Sequence, residues 1–119
     1  MNVAVLGASA NPERYSHQAV ARLQANGHAV FPVHPTVSEI LGIPVRASLS
    51  DIPVPLDTVT VYLSPGKSAA LVGDFLRSRP RRVILNPGAE NPPLTASLRE
   101  HGIEVVEACT LVLLASGQF

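Results

Sequence analysis

Residues 2–16, Asn2-Val3-Ala4-Val5-Leu6-Gly7-Ala8-Ser9-Ala10-Asn11-Pro12-Glu13-Arg14-Tyr15-Ser16, decide how the rest of the chain must be read. Asn2 to Leu6 is a short apolar run without polar alternation, the pattern of a strand covered on both faces in a parallel sheet. It stops at Gly7, whose backbone, free of a side chain, can turn sharply and come close to a ligand. Small and polar residues follow and lead into an amphipathic segment, Ser16 to Asn26, predicted as a helix. Strand, glycine turn and helix start form the opening of a nucleotide-binding βαβ unit, in which free N–H groups at the helix N-terminus receive a diphosphate.

The remaining chain fits that opening. A length of 119 residues predicts a single domain, residues 1–119, able to bury roughly two thirds of its unfolded surface. The composition is 46% hydrophobic but only 4% aromatic, so the core must be built from Val, Leu, Ile and Ala, as in a parallel sheet between helices. Nine basic and nine acidic residues cancel, and no overall field favours nucleic acid or an anionic membrane. The one basic cluster, Arg77, Arg79, Arg81 and Arg82 around Pro80, reads as solvent-facing charge at a helix-to-strand turn. A lone cysteine gives neither a disulfide framework nor a metal pair, and no apolar run approaches the roughly 20 residues of a membrane span. With no secretory leader pattern, a soluble cytoplasmic protein is expected.

Further strands are predicted at His28–Val33, Asp57–Leu63, Arg82–Leu85 and Ile103–Val106. Between them, Asn26-Gly27 stops the first helix, and Ser64-Pro65 and Asn91-Pro92 each read as cap plus first helical residue. Leu71, Val72, Phe75 and Leu76 form one helical stripe, and Thr110 to Ala115 is a short apolar helix packed on the sheet. Residues 36–55 are broken by Gly42, Pro44, Pro53 and Pro55; a helical turn and a short extra edge strand near Ile43–Arg46 are expected there. Strands alternating with helices at this rhythm predict a Rossmann-like, doubly wound, mainly parallel five-stranded sheet with helices on both faces.

Ligands of such sheets bind outside the carboxyl ends of the strands. The loops at that edge are residues 7–16, His34-Pro35-Thr36, Ser64-Pro65-Gly66-Lys67, Asn86-Pro87-Gly88 and Cys109-Thr110, rich in groups that hydrogen-bond phosphate and poor in acids and bases. A dinucleotide fingerprint would place glycines at 7, 9 and 12, but positions 9 and 12 are Ser9 and Pro12. The second strand ends in Val33-His34-Pro35 instead of an acid for ribose hydroxyls, which disfavours NAD and leaves NADP or coenzyme A. For NADP, Arg14 or Arg46 would meet the extra phosphate. Gly66-Lys67-Ser68 imitates the end of a phosphate-binding P-loop, but the first glycine of that motif is replaced by Val61; Lys67 remains a residue within reach of a ligand.

Taken in order, Gly7-Ala8-Ser9, Asn11-Pro12-Glu13-Arg14-Tyr15-Ser16, Pro32-Val33-His34-Pro35, Leu41-Gly42-Ile43-Pro44, Ser48-Leu49-Ser50-Asp51-Ile52-Pro53, Asp57-Thr58-Val59, Asn86-Pro87-Gly88-Ala89-Glu90-Asn91 and Gly102-Ile103-Glu104-Val105 make a more specific pattern. This ordered set resembles the single-domain CoA-binding protein family, itself similar to the CoA-binding domain of the succinyl-CoA synthetase α subunit, over nearly the whole chain. The resemblance implies that Gly7, Ala8 and Ser9 with Arg14, Tyr15 and Ser16, in the loop that holds Asn11 and Pro12, take the CoA diphosphate. It implies that Val33, His34 and Pro35 border the adenosine, and that Ser64 and Pro65 line the pantetheine path beside Asn86, Pro87 and Gly88. Three departures from the family stand out: Thr36 where a lysine is frequent, Arg46 where an aromatic is usual and where it can supply the lost charge, and Asn86 in place of a common Gln. Cys109 also lacks the acidic residue that often follows it.

The other residues support little chemistry. His34 before proline reads as a loop histidine, and His17, His28 and His101 share no metal spacing with Cys109. Cys109 is either a small hydrophobe or a thiol near the CoA sulfur able to form a mixed disulfide. Ser9 with His34 lacks an orienting acid and the nucleophile-elbow sequence. The expected function is therefore binding of CoA or a short acyl-CoA without catalysis, with a protein partner or homo-oligomer possible. Its rivals are an NADP-dependent oxidoreductase module and a regulatory or structural subunit that keeps the fold without tight ligand binding.

Overall fold

The computed structural model describes Met1–Phe119. Its main sheet contains β1 (Asn2–Leu6), β2 (Ala29–Val33), β5 (Thr58–Val61), β6 (Arg82–Leu85) and β7 (Glu104–Glu107), all parallel, in the order β2-β1-β5-β6-β7. The chain winds outward from β1 to β2, then returns across the sheet to β5 on the other side of β1. The order therefore reverses between β1 and β5, and the crevice at their carboxyl ends is where a sheet of this order accepts a ligand.

Two apolar layers cover the sheet. In β1, Ala4 and Leu6 point to a core shared with Val59, Val61, Val83, Leu85, Phe75, Leu94 and Leu98. Val3 and Val5 point the other way, toward Val20 and Leu23 of helix α1 (Tyr15–Ala25). The period of two along the strand thus feeds both faces, as the unbroken apolar run requires. On the α1 side lies α5 (Thr110–Ala115); on the opposite side lie α2 (Pro65–Ala69), α3 (Val72–Ser78), α4 (Pro92–Glu100) and the 3-10 turn Leu49–Asp51. Helix α1 buries Ser16, Ala19, Val20 and Leu23, one stripe at helical spacing, and stops at Asn26-Gly27 with Gly27 at φ +84°.

Three local features differ from the sequence-based expectation. First, residues 39–44 form a small antiparallel hairpin, β3 (Glu39–Ile40) and β4 (Ile43–Pro44), before Arg46 bridges Val33 in parallel. Its loop is Leu41-Gly42, both at positive φ, which twists the two strands the way a two-residue hairpin needs. Second, the helical segment opened at Ser64-Pro65 is split into α2 and α3, and the stripe Leu71, Val72, Phe75 and Leu76 falls on α3, with Leu71 as its N-cap. Asn91 holds α2 to the start of α4 by donating to Pro65 O at 3.2 Å and Ser68 Oγ at 3.0 Å, whereas α3 packs on the 3-10 turn. Third, Arg82 is not a solvent-facing charge. It is 8% exposed, donates through Nε to Thr58 Oγ1 at 3.1 Å and lies over the Phe119 ring at 4.6 Å. No helix is long and apolar enough to cross a membrane.

Candidate functional site

The reversal point is built around Gly7. Its φ is +86°, and a Cβ there would come within 2.9 Å of Leu63 Cδ2 and 3.3 Å of the Tyr62 carbonyl carbon, at the end of β5. Only glycine lets β1 end this close to its neighbour. The N–H groups of Gly7 and Ala8 both donate to Val33 O, at 3.1 and 3.2 Å, so the turn is fastened to the end of β2.

Beyond Gly7 the loop holds itself in shape. Asn11 N–H donates to Ser9 Oγ at 3.1 Å, Glu13 N–H donates to Asn11 Oδ1 at 3.0 Å, and His17 Nδ1 bonds Ser9 O at 2.9 Å. Arg14 occupies the N-cap of α1 in extended conformation without a side-chain cap, and the N–H groups of Tyr15 and Ser16 have no acceptor within the protein. Ser9 Oγ and Asn11 Oδ1 are thus spent inside the loop, while open N–H donors and the positive end of an 11-residue helix face the crevice. Arg14 is exposed at the same helix start.

On the α2 side of the sheet a cavity of about 540 Å³ opens beside Gly7, between the ends of β1 and β2, α2 and the 3-10 turn. Its wall combines apolar residues (Leu6, Val33, Leu49, Leu63, Leu71) with His34, Pro35 and Lys67. Lys67, the only lysine, sits on α2, which starts at Ser64-Pro65 without a side-chain cap bond. The acid at the wall, Asp74, is paired with Arg77 and accepts from Ser50 Oγ at 3.5 Å.

His34 has a defined protonation pattern. Thr36 N–H and Val37 N–H both donate to its Nδ1 at 3.1 Å, so Nδ1 is the acceptor and the ring proton sits on Nε2. The ring replaces the carbonyl of an Asn in an Asx-type turn and leaves one N–H donor for the cavity. Arg46 is tied to the same strand end: His34 N–H donates to Arg46 O and Arg46 N–H to Pro32 O, both at 3.0 Å. Its Nε is buried without a partner, and its side chain is not part of the cavity wall.

On the α1 side lies a second cavity of about 480 Å³, lined by Tyr15, Tyr62, Asn86, Pro87, Cys109, Leu111 and Val112. Asn86 is 2% exposed, and its amide is consumed internally: Nδ2 donates to Thr60 Oγ1 at 2.7 Å and Val61 O at 2.9 Å, while Oδ1 accepts from Thr110 N–H at 2.8 Å. Asn86-Pro87-Gly88-Ala89 is a tight turn, closed by Ala89 N–H to Asn86 O at 2.8 Å, with Gly88 at φ +92°. Burial pushes the Tyr62 phenol up to about 12; its hydroxyl, close to Thr110 and Thr60, makes no hydrogen bond. Cys109, half-buried, is the N-cap of α5.

The structure gathers Gly7, Val33, His34, Pro35 and Lys67 at the first cavity, and Tyr15, Asn86, Pro87 and Cys109 at the second. Ala8, Ser9, Asn11, Pro12, Arg14 and Ser16 form the loop and helix start between β1 and α1, where Ser16 is 5% exposed. Ser64 and Pro65 open α2, Gly88 lies beyond Pro87 in its turn, and Arg46 stands behind the strand end. Leu49, Leu63, Leu71 and Tyr62 escaped the sequence reading because nothing but the fold distinguishes a wall leucine from a core leucine.

Residues 1–115 match the family model described as CoA binding domain. A solved Thermus thermophilus protein, cell-free ID.343, is 34% identical and superimposes with a TM-score of 0.90, covering 99% of this chain and 90% of its own. The uncharacterized Bacillus subtilis protein YneT is 31% identical over 104 residues, 87% of this chain and 77% of that protein. A dinucleotide-forming acetyl-coenzyme A synthetase from Ca. Korarchaeum cryptofilum, 22% identical, shares the fold with a TM-score of 0.79 over 90% of this chain and 25% of its own length. With the family match running through β1, the Gly7 turn, every sheet strand and α5, the chain belongs to the CoA binding domain family.

Proposed function

We propose that the protein is a binding module for coenzyme A or a short acyl-CoA, held at the β1/β5 reversal with the diphosphate on the loop of residues 7–16. The observation that carries this reading is the pairing of a backbone-only turn at Gly7 with unfilled N–H donors at Tyr15 and Ser16. The residues fit the group: the N–H donors and Arg14 suit a diphosphate, while the apolar wall at Leu49, Leu63 and Leu71 suits a purine. The single Nε2–H of His34, with Lys67 across the cavity, suits a ribose that carries a phosphate better than one that offers hydroxyl donors.

The same wall supports binding without turnover. His34 Nδ1 is committed to two backbone N–H groups, Asp74 is committed to Arg77, and no general base stands free beside a nucleophile. Thermal unfolding in the presence of CoA, CoA lacking its ribose phosphate, NADP and ATP tests the proposal. CoA at 100 times its dissociation constant should add about 2.7 kcal/mol to stability, and the dephosphorylated form less at equal concentration. A shift with NADP that exceeds the one with CoA would reassign the site to a dinucleotide; no shift with any of the four would reject it.

A further inference from the structure

The second cavity has a property that the diphosphate cradle does not explain. Tyr15 and Val112 are the two most exposed large apolar side chains of the protein, at 71% and 63%, and both stand at its mouth. Water-facing apolar groups that flank a concave site mark something that is covered when the site is filled. Inside, Tyr62, Pro87 and Leu111 supply more apolar surface, and the polar groups of the floor are closed off. Asn86 is fully engaged with Thr60, Val61 and Thr110, Thr60 and Thr110 share a hydroxyl bond of 2.7 Å, and the Tyr62 hydroxyl is sealed from solvent. No Lys, Arg, His, Asp or Glu lines it.

Tyr15 also connects the two regions. Its N–H belongs to the open helix start, and its side chain to the rim of the cavity, so a ligand whose diphosphate sits on that helix reaches the cavity without leaving the protein surface. From these observations, and resting on the CoA reading above, we infer that the α1/α5 cavity receives the acyl group of an acyl-CoA, and that this acyl group is uncharged and apolar. A volume of about 480 Å³ admits several carbons beyond acetyl. A dicarboxylic group such as succinyl would bring a carboxylate to a wall with no cation to pair it, and desolvation would oppose its entry.

Calorimetry with CoA, isovaleryl-CoA, benzoyl-CoA and succinyl-CoA tests the assignment, free CoA serving as the reference. Each buried methylene contributes about a factor of four, so isovaleryl-CoA and benzoyl-CoA should bind about tenfold or more tighter than CoA, with no gain for succinyl-CoA. In Val112→Asp, a change at an exposed helix position, the ratio of isovaleryl-CoA to CoA affinity should fall toward one; in Val112→Arg, succinyl-CoA should gain instead. If CoA binds but all thioesters match it, if succinyl-CoA is the tightest, or if the gain survives Val112→Asp, the acyl assignment is overturned and the CoA reading stands. If neither CoA nor any thioester binds, both are overturned.

Discussion

At Gly7 the backbone takes a φ of +86° within 3.3 Å of the neighbouring strand's backbone, measured from where a Cβ would stand. Gly7→Ala must accept a left-handed conformation and push Leu63 aside, so it should cost about 1–3 kcal/mol in urea unfolding and distort the cradle. This much was legible in the sequence, since an apolar run ending in glycine has few other uses. His34 was legible only as a position. That its Nδ1 gathers the N–H groups of Thr36 and Val37 depends on how the loop folds back on the ring, and with that bond its Nε2–H becomes a donor. His34→Asn and His34→Asp both keep a side-chain acceptor for the turn, but Asp turns a negative charge toward the site. His34→Asp should therefore weaken CoA by about tenfold or more, with a smaller effect on CoA lacking the ribose phosphate. Equal losses for the two ligands in calorimetry would move the phosphate away from His34.

Elements with a strong periodic signal matched their prediction: five strands, α1 with its Asn26-Gly27 stop, and α4 capped by Asn91, whose side chain accepts from Leu94 N–H at 3.3 Å. The hairpin was hidden because its strands are two residues each and its loop begins with Leu41, a residue that disfavours positive φ. Leu41 holds φ +52° while 48% exposed, so Leu41→Asn should stabilise the protein by about 1 kcal/mol, read as a higher urea midpoint. The buried link from β5 to β6 and α5 was hidden for another reason: Thr60, Asn86 and Thr110 lie far apart in sequence and meet only once the strands are paired. Asn86→Ala leaves Thr110 N–H without its acceptor and Thr60 without its amide donor, which should cost about 1–3 kcal/mol. Tyr62, beside this link, has its ionisation raised from 10.0 to about 12 by burial. Its contribution to stability is complete below pH 10 and is lost as pH rises toward 12, so Tyr62→Phe should flatten the alkaline limb of the unfolding curve.

Across the whole molecule the two ends of the sheet divide the work. The carboxyl ends carry the open N–H groups, Arg14 and Lys67, none of them in a salt bridge. The Asp74–Arg77 pair stands at the cavity wall, while the amino ends carry the Arg81 pairs with Asp57 and Glu104. There Asp57 accepts from Arg81 Nε at 3.0 Å and Nη2 at 3.2 Å, and from Thr58 Oγ1 at 2.7 Å, and its own N–H donates to Asn2 O at 2.9 Å. The Arg81 hydrogen bonds hold the Asp57 carboxyl below its ordinary 3.8. A depressed carboxyl stabilises the fold fully above that ordinary value, and the contribution is lost as pH falls through the lower native value. Because Arg81 is more than half exposed, solvent screening keeps the pair's contribution small. Asp57→Asn should thus lower the urea midpoint slightly at pH 7, with the difference from the parent protein vanishing in strong acid, and leave CoA affinity unchanged. Lys67→Ala, on an exposed turn of α2, should do the reverse, weakening CoA by about tenfold with the urea midpoint unmoved. If Asp57→Asn weakened the ligand as much as Lys67→Ala does, the site would not be confined to the carboxyl ends of β1 and β5.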